Sequence, residues 1–244
     1  MVDDQRRAGA GATTTDEVPG ALRSRLVLAL DVDDLVAARR LARDLHPFFG
    51  TMKVGLELYS AAGPEAISLL AGMGVDVFCD IKLHDIPTTV GRSARVFGAL
   101  GARYLNLHTA GGVPMLRAGV EGLREGAAGA GLPEPVPLGV TVLTSEPEAS
   151  GHLLQQRVAA GLDGGCAGFV CAVPDVDTVR QIAPAAVLAT PGIRPEGAAI
   201  DDQGRVATPR QALDAGADLL IVGRPVTRAD DPVAAARALV ASVL

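Results

Sequence analysis

The stretch Asp80-Ile81-Lys82-Leu83-His84-Asp85-Ile86-Pro87 places two carboxylates and an ammonium close together in the chain. An apolar run, Val75 to Cys79, leads into it and reads as a buried strand. Residues two apart on a strand share a face, with Cα atoms roughly 6.6 Å apart, so Asp80 and Lys82 leave the C-terminal end of that strand together. Asp85 follows where the strand pattern stops, near Pro87, which suits a first helical position. An ammonium held by carboxylates offers a fixed positive charge and a transferable proton. A structural ion pair between Asp80 and Lys82, with Asp85 as a plain N-cap, is the competing reading. Core strands rarely carry charges unless these are paired or used, and three together at a strand mouth favour chemistry.

Positioning such a group requires a scaffold, and a period emerges from Leu26 onward. Short β-rich apolar runs alternate with longer Ala/Leu segments of helical pattern. Strands are expected at 26–30, 50–55, 75–82, 104–108, 136–143, 168–172, 187–190 and 219–222. Helices are expected at 34–45, 61–73, 86–100, 113–128, 152–160, 176–182, 209–215 and 232–243. Eight βα units in this length are the count of an α/β fold of the (β/α)8 TIM barrel type, in a single domain spanning 23–244. Gly74, Gly101 and Gly216 stand where helices end before strands, and Thr208-Pro209 reads as an N-cap with proline at the first helical position. A doubly wound open sheet also alternates strands and helices, but no G-x-G-x-x-G follows any strand here.

In such a barrel catalytic groups stand at the C-terminal strand ends. Those ends carry Asp31, Lys53, Asp80 with Lys82, His108, Thr144 with Ser145, Arg194 and Arg224. The loops after the last two strands are a common phosphate site, and they hold Gly192-Ile193-Arg194 and Gly223-Arg224. Glycine permits close backbone approach, and arginine presents a fork matched to phosphate oxygens. Between Pro195 and the next helix lie about 13 residues without regular pattern, including Asp201-Asp202-Gln203-Gly204, a length typical of lids. A surface salt bridge for Arg194 is the plainer alternative. His108 is assigned no catalytic role, and His84 at most orients the site.

Composition excludes several classes. The chain has 244 residues, 48% hydrophobic, and so can bury a large core. A net charge of −6 and the absence of any basic run argue against a nucleic-acid surface, and 3% aromatics leave little for base stacking. Cys79, Cys166 and Cys171 are odd in number, sit in apolar runs and lack C-x-x-C spacing, as buried thiols in a reducing cytoplasm do. The four histidines have no zinc-ligand spacing. No segment is long enough to span a membrane, and residues 1–22 lack the apolar core of a secretory signal. They read as a disordered tail.

Taken together, these blocks resemble the orotidine 5′-phosphate decarboxylase family. The matching pieces are LALDVDD around Asp31, MKVGLELY around Lys53, DIKLHDIPTTV from Asp80, LTS at Thr144, TPGIRPEG around Arg194 and VGRPVTRADDP around Arg224. They run in the family's order over nearly the whole chain from Leu26. The resemblance implies decarboxylation of orotidine 5′-phosphate to UMP without metal or organic cofactor, in a cytoplasmic homodimer. It implies that Asp31 binds the ribose and that Lys53 is its neighbour in a charged network. Asp80 would be the carboxylate set against the substrate carboxylate, and Lys82 the proton donor. Asp85 and Thr89 would reach the site of a second subunit. Thr144 and Ser145 would contact the pyrimidine. Arg194, Gln203, Gly223 and Arg224 would bind the phosphate, with Gln203 on the closing loop. Thr88 and Pro191, inside two of the blocks, join the substrate-contacting set. A related magnesium-dependent sugar-phosphate decarboxylase or aldolase shares the D-x-K-x-x-D strand, but not the D-I-P-T-T or T-P-G-I-R-P continuations. A non-catalytic nucleotide-phosphate binder on the same scaffold is a third possibility.

Overall fold

Strands covered on both faces must be apolar nearly throughout. The chain meets this condition in β1 (Leu26–Ala29) and β8 (Leu219–Val222), while β2 (Thr51–Gly55) is equally buried but carries Thr51 and Lys53. The computed structural model describes residues 18–143, 151–196 and 205–244. Between those strands come β3 (Asp76–Leu83), β4 (Ala102–His108), β5 (Val136–Val140), β6 (Gly168–Val170) and β7 (Val187–Thr190). All eight pair in parallel and in sequence order, and β8 pairs back onto β1 to close a barrel. This is the (β/α)8 TIM barrel expected.

Helices α1 (Gly20–Arg23), α2 (Leu35–Leu45), α3 (Leu56–Ala62), α4 (Glu65–Gly72), α5 (Pro87–Ala99) and α6 (Gly112–Gly129) accompany the first half. The second half adds α7 (Gly151–Asp163), α8 (Val176–Ile182), α9 (Pro209–Asp214), α10 (Arg224–Thr227) and α11 (Pro232–Ala241). Their starts follow from local chemistry. The Asp34 carboxylate accepts from Val36 N and Ala37 N, and Thr208 with Gln211 forms a reciprocal capping box ahead of Pro209. Gly74, Gly101 and Gly216 all take positive φ where helices end.

Two apolar shells result. One fills the barrel around Val27, Phe78, Leu138, Val170, Leu219 and Ile221. The other lies between strands and helices and includes Leu28, Met52, Val77 and Leu105. Ala29, Lys53 and Phe78 stand side by side in register, and Gly55 pairs with Asp80 two residues further toward the C-terminal rim. The charges therefore sit on an apolar floor at the mouth of the barrel.

Three expectations are corrected, and one short element was not expected. The helix expected at 61–73 is two helices, because Gly63 turns with φ +61° and Pro64 follows it. The strands expected to reach Leu143 and Ala172 stop at Val140 and Val170, with one further inter-strand bond each, from Thr141 N to Val170 O and from Cys171 N to Ala189 O. A short helix, α10, starts directly at Arg224. Residues 18–22, expected within the tail, belong to the fold: Val18 is buried and α1 begins at Gly20.

Candidate active site

Alternation along β2 sends Thr51, Lys53 and Gly55 to the barrel interior, and Asp31 follows β1 at the rim. The Lys53 Nζ lies 3.0 Å from Asp31 Oδ1 and 3.2 Å from Asp80 Oδ2. Asp80 Oδ1 in turn lies 2.6 Å from Lys82 Nζ. The result is a chain of alternating sign, Asp31–Lys53–Asp80–Lys82. Side-chain exposure is 8% for Lys53 and 16% for Asp80, but 34% for Lys82 and 45% for Asp31. The network is thus anchored in the core and opens at both ends toward the cavity, where Lys82 can meet a ligand.

Charge coupling sets the protonation states. Burial works to raise the Asp80 pKa, but Lys53, Lys82 and the hydrogen bonds from Lys82 and Asn106 outweigh it and bring it down to about 2. Burial works equally against the Lys53 ammonium, and Asp80 and Asp31 overcome it, leaving its pKa raised. At neutral pH Asp80 is therefore an anion and Lys53 a cation.

Simple alternation does not account for Lys82. Cys79 pairs with Leu105 and Leu83 with Leu107, so residues 80–82 bulge out opposite the single residue Asn106. Within the bulge Lys82 takes φ +47°, the only positive φ outside glycine among the described residues. A non-glycine residue there is strained by of order 1–3 kcal/mol, and such strain clusters at functional sites. The fully buried Asn106 meets it with two hydrogen bonds. Its Nδ2 donates to Asp80 Oδ1 at 2.6 Å, and its Oδ1 accepts from Lys82 N at 2.7 Å.

Across the cavity stand the basic groups. Gly192 has φ +80°, and the backbone after it pairs Arg194 N with Ala207 O at 2.9 Å, tying both ends of that loop together. Arg194 is buried, and it lines the same cavity as Arg224, Gly223 and Pro191. The cavity measures about 220 Å3, with Val140, Val142, Val170 and Ile221 on its apolar wall. An anion at the arginines, an apolar ring against the wall and an ammonium facing it describe a site for a small anionic ligand.

Of the residues singled out from sequence, Asp31, Lys53, Asp80, Lys82, Pro191, Arg194, Gly223 and Arg224 converge on this cavity. Asp85, Thr88 and Thr89 do not: all three are exposed, and Asp85 Oδ1 accepts from Ile86 N at 2.6 Å. Asp85 is not the N-cap of α5, a place taken by Ile86. Thr144, Ser145 and Gln203 lie outside the described residues. His84 stacks on the His108 ring at 5.2 Å and does not line the cavity. All three cysteines are free and buried, and burial pushes the thiols of Cys166 and Cys171 up to about 12.

Sequence reasoning passed over Asn106 and Gly55. The signal for Asn106 was one amide inside the apolar run Leu105-Asn106-Leu107. Gly55 left none, yet a Cβ there would lie 3.1 Å from Lys53 Nζ and 3.2 Å from Asp31 Oδ1, crowding the ion chain.

Comparison with known proteins accords with this geometry. The model of the orotidine 5′-phosphate decarboxylase / HUMPS family matches residues 24–239. A curated orotidine 5′-phosphate decarboxylase from Moorella thermoacetica is 42% identical over 234 residues, covering 91% of this chain and 92% of the relative. Another, from Anaeromyxobacter sp., is 45% identical over 233 residues, covering 90% and 98%. The solved orotidine 5′-phosphate decarboxylase from Lactobacillus acidophilus superposes with a TM-score of 0.77 at 31% identity, covering 90% of this chain and 99% of that one.

Proposed function

Because the chain belongs to the orotidine 5′-phosphate decarboxylase / HUMPS family, we propose that it decarboxylates orotidine 5′-phosphate to UMP in pyrimidine biosynthesis, with Lys82 as the proton donor. The observation that carries this reading is the ion chain ending in the Lys82 ammonium, set across one cavity from two arginines. The phosphate takes Arg194, Arg224, the backbone at Gly223 and Gln203. The ribose meets Asp31 and Lys53. The pyrimidine meets Thr144, Ser145 and Pro191, and its carboxylate lies against Asp80.

Loss of CO2 from C6 leaves the electron pair of the broken C–C bond on C6, with no adjacent sink. A preorganised ammonium stabilises that developing carbanion and then transfers its proton to C6; solvent reprotonates the amine. Within one chain Lys53 and Lys82 balance Asp31 and Asp80, so Asp85 from the second subunit and the substrate carboxylate make the site negative. Two carboxylates about 4 Å apart repel by roughly 4 kcal/mol at an effective dielectric of 20. Departure of CO2 relieves this, but the ammonium takes the larger share because it acts on charge that grows toward the transition state. The distant phosphate contributes by fixing the substrate and excluding water.

No metal or organic cofactor enters these steps. Three donors already engage Asp80, which favours an ammonium mechanism over a magnesium-bound enediolate. The exposed stretch His84–Thr89, with Ile86 66% exposed, supports a homodimer in which Asp85 and Thr89 complete the partner's site. Free buried cysteines support a cytoplasmic setting, and no described helix is long and apolar enough to cross a membrane.

Purified protein mixed with orotidine 5′-phosphate and excess chelator should bleach the orotate absorbance. Turnover that chelator abolishes would transfer the chain to the magnesium-dependent class. Lys82→Ala should still bind UMP but lose decarboxylation; a variant keeping most of its turnover would remove Lys82 from the mechanism.

A further inference from the structure

Lys82 reaches Asp80 from a backbone conformation that L-residues avoid, and the source of that conformation lies on the neighbouring strand. Residues 80–82 have no residue-for-residue partners on β4, since Cys79 pairs with Leu105 and Leu83 with Leu107. A side chain replaces the missing ladder. Asn106 Oδ1 accepts from Lys82 N at 2.7 Å, while Asn106 Nδ2 donates to Asp80 Oδ1 at 2.6 Å. The orientation of this amide is fixed by its partners, because a backbone N–H can only donate and an ionised carboxylate can only accept. The side chain is fully buried, so water does not compete for either bond.

We propose that Asn106 is a positioning residue for the decarboxylation, holding the Lys82 backbone in its left-handed turn with one end of its amide and the Asp80 carboxylate with the other. This rests on the reading of Lys82 as proton donor. The requirement is narrow. Aspartate at 106 keeps an acceptor for Lys82 N but loses the donor and sets a second carboxylate against Asp80. Alanine removes both bonds and leaves the bulge without its brace. Asn106 does not line the cavity, so its effect belongs to the chemical step and not to substrate capture.

The test compares Asn106→Ala and Asn106→Asp with the wild type in kcat, KM, UMP affinity and pH profile, and by crystal structure. Each lost bond engages a charged or strained partner, so Asn106→Ala should lower kcat on the order of 10- to 100-fold. KM and the Kd for UMP should stay within about threefold, because Arg194 and Arg224 still hold the phosphate. In its crystal structure Lys82 should leave positive φ and its Nζ should move off Asp80. In Asn106→Asp, Lys82 should keep positive φ, while the acid limb of kcat/KM moves up by about one pH unit or more, since adjacent carboxylates resist joint ionisation.

A wild-type kcat in Asn106→Ala would overturn the proposal. So would an equal loss of kcat and UMP affinity, or an unmoved acid limb in Asn106→Asp. If Asn106→Ala does not fold, the acid limb of Asn106→Asp decides. If the wild type itself fails to turn over orotidine 5′-phosphate, the decarboxylase reading falls. The brace is then judged by the variant crystal structures alone, where an unchanged Lys82 φ and Nζ–Asp80 distance would defeat it.

Discussion

Asp80 accepts from Lys53, Lys82 and Asn106 at once. Its pKa falls from 3.8 to about 2 on folding. A depressed carboxylate stabilises the fold fully above its unfolded pKa and loses that contribution as pH falls through its folded value. Acidification from pH 4 to 2 should therefore cost the wild type roughly 2 kcal/mol more than Asp80→Asn. Urea midpoints across that range read the difference, and parallel curves for the two proteins would contradict it. Lys53 runs the other way: its raised pKa adds stability below 10.5 that is lost only as alkaline pH passes its folded value. The network is therefore intact at neutral pH. On the opposite wall, Arg224→Ala should weaken UMP binding at least 10-fold by calorimetry, as expected for a lost charge-assisted phosphate contact. An unchanged affinity would move the phosphate elsewhere.

At the scale of elements, the C-terminal mouth depends on how closely α5 and α6 pack, because α5 begins just past the Asp80–Asp85 stretch. A Cβ at Gly122 of α6 would run into the Gly91 carbonyl of α5, with the Gly91 carbon only 2.9 Å away. Backbone cannot yield as a side-chain tip can. Gly122→Ala should destabilise by about 1–3 kcal/mol through overpacking. Gly129, at the end of the same helix, has nothing within 4 Å of the added carbon. Gly129→Ala should be neutral or stabilising by up to about 1 kcal/mol, from helix propensity. Gly122→Ala should melt below the wild type and Gly129→Ala at or above it; a comparable drop in both would contradict the close approach of the two helices.

For the whole molecule, the decisive prediction concerns sharing between subunits. Asp85 bonds its own neighbour Ile86 N and does not contact Lys82 within one chain. If it serves a partner's site, Lys82→Ala and Asp85→Ala should each be inactive alone yet complement when mixed. Random reassortment makes about half the dimers hybrid with one intact site each, so activity should recover to about a quarter of wild type. Recovery near zero would place Asp85 outside the partner's site.

Local sequence determined a great deal. Apolar runs alternating with helical segments give the eight βα units, and charged residues at the ends of apolar strands mark the rim. Asp31, Lys53, Asp80 and Lys82 were legible because charge on a buried strand is costly and therefore conspicuous. Arg194 and Arg224 were legible from the glycines beside them. The split helix at Gly63-Pro64 was legible in principle, since proline after a left-handed glycine ends a helix. The geometry that makes the site work was not. Strict alternation would put Asp80 and Lys82 side by side on one face. Instead a bulge over residues 80–82, set by pairing with a strand more than twenty residues away, turns the lysine back onto the carboxylate. Asn106 gained its meaning only once β4 lay against that bulge. Barrel closure through β1 and β8 brought Gly223 beside Ala29 and Asp31 from opposite ends of the chain. Residue chemistry is written locally, whereas register and closure are settled by long-range packing of the whole sheet, and that packing fixed which charges touch.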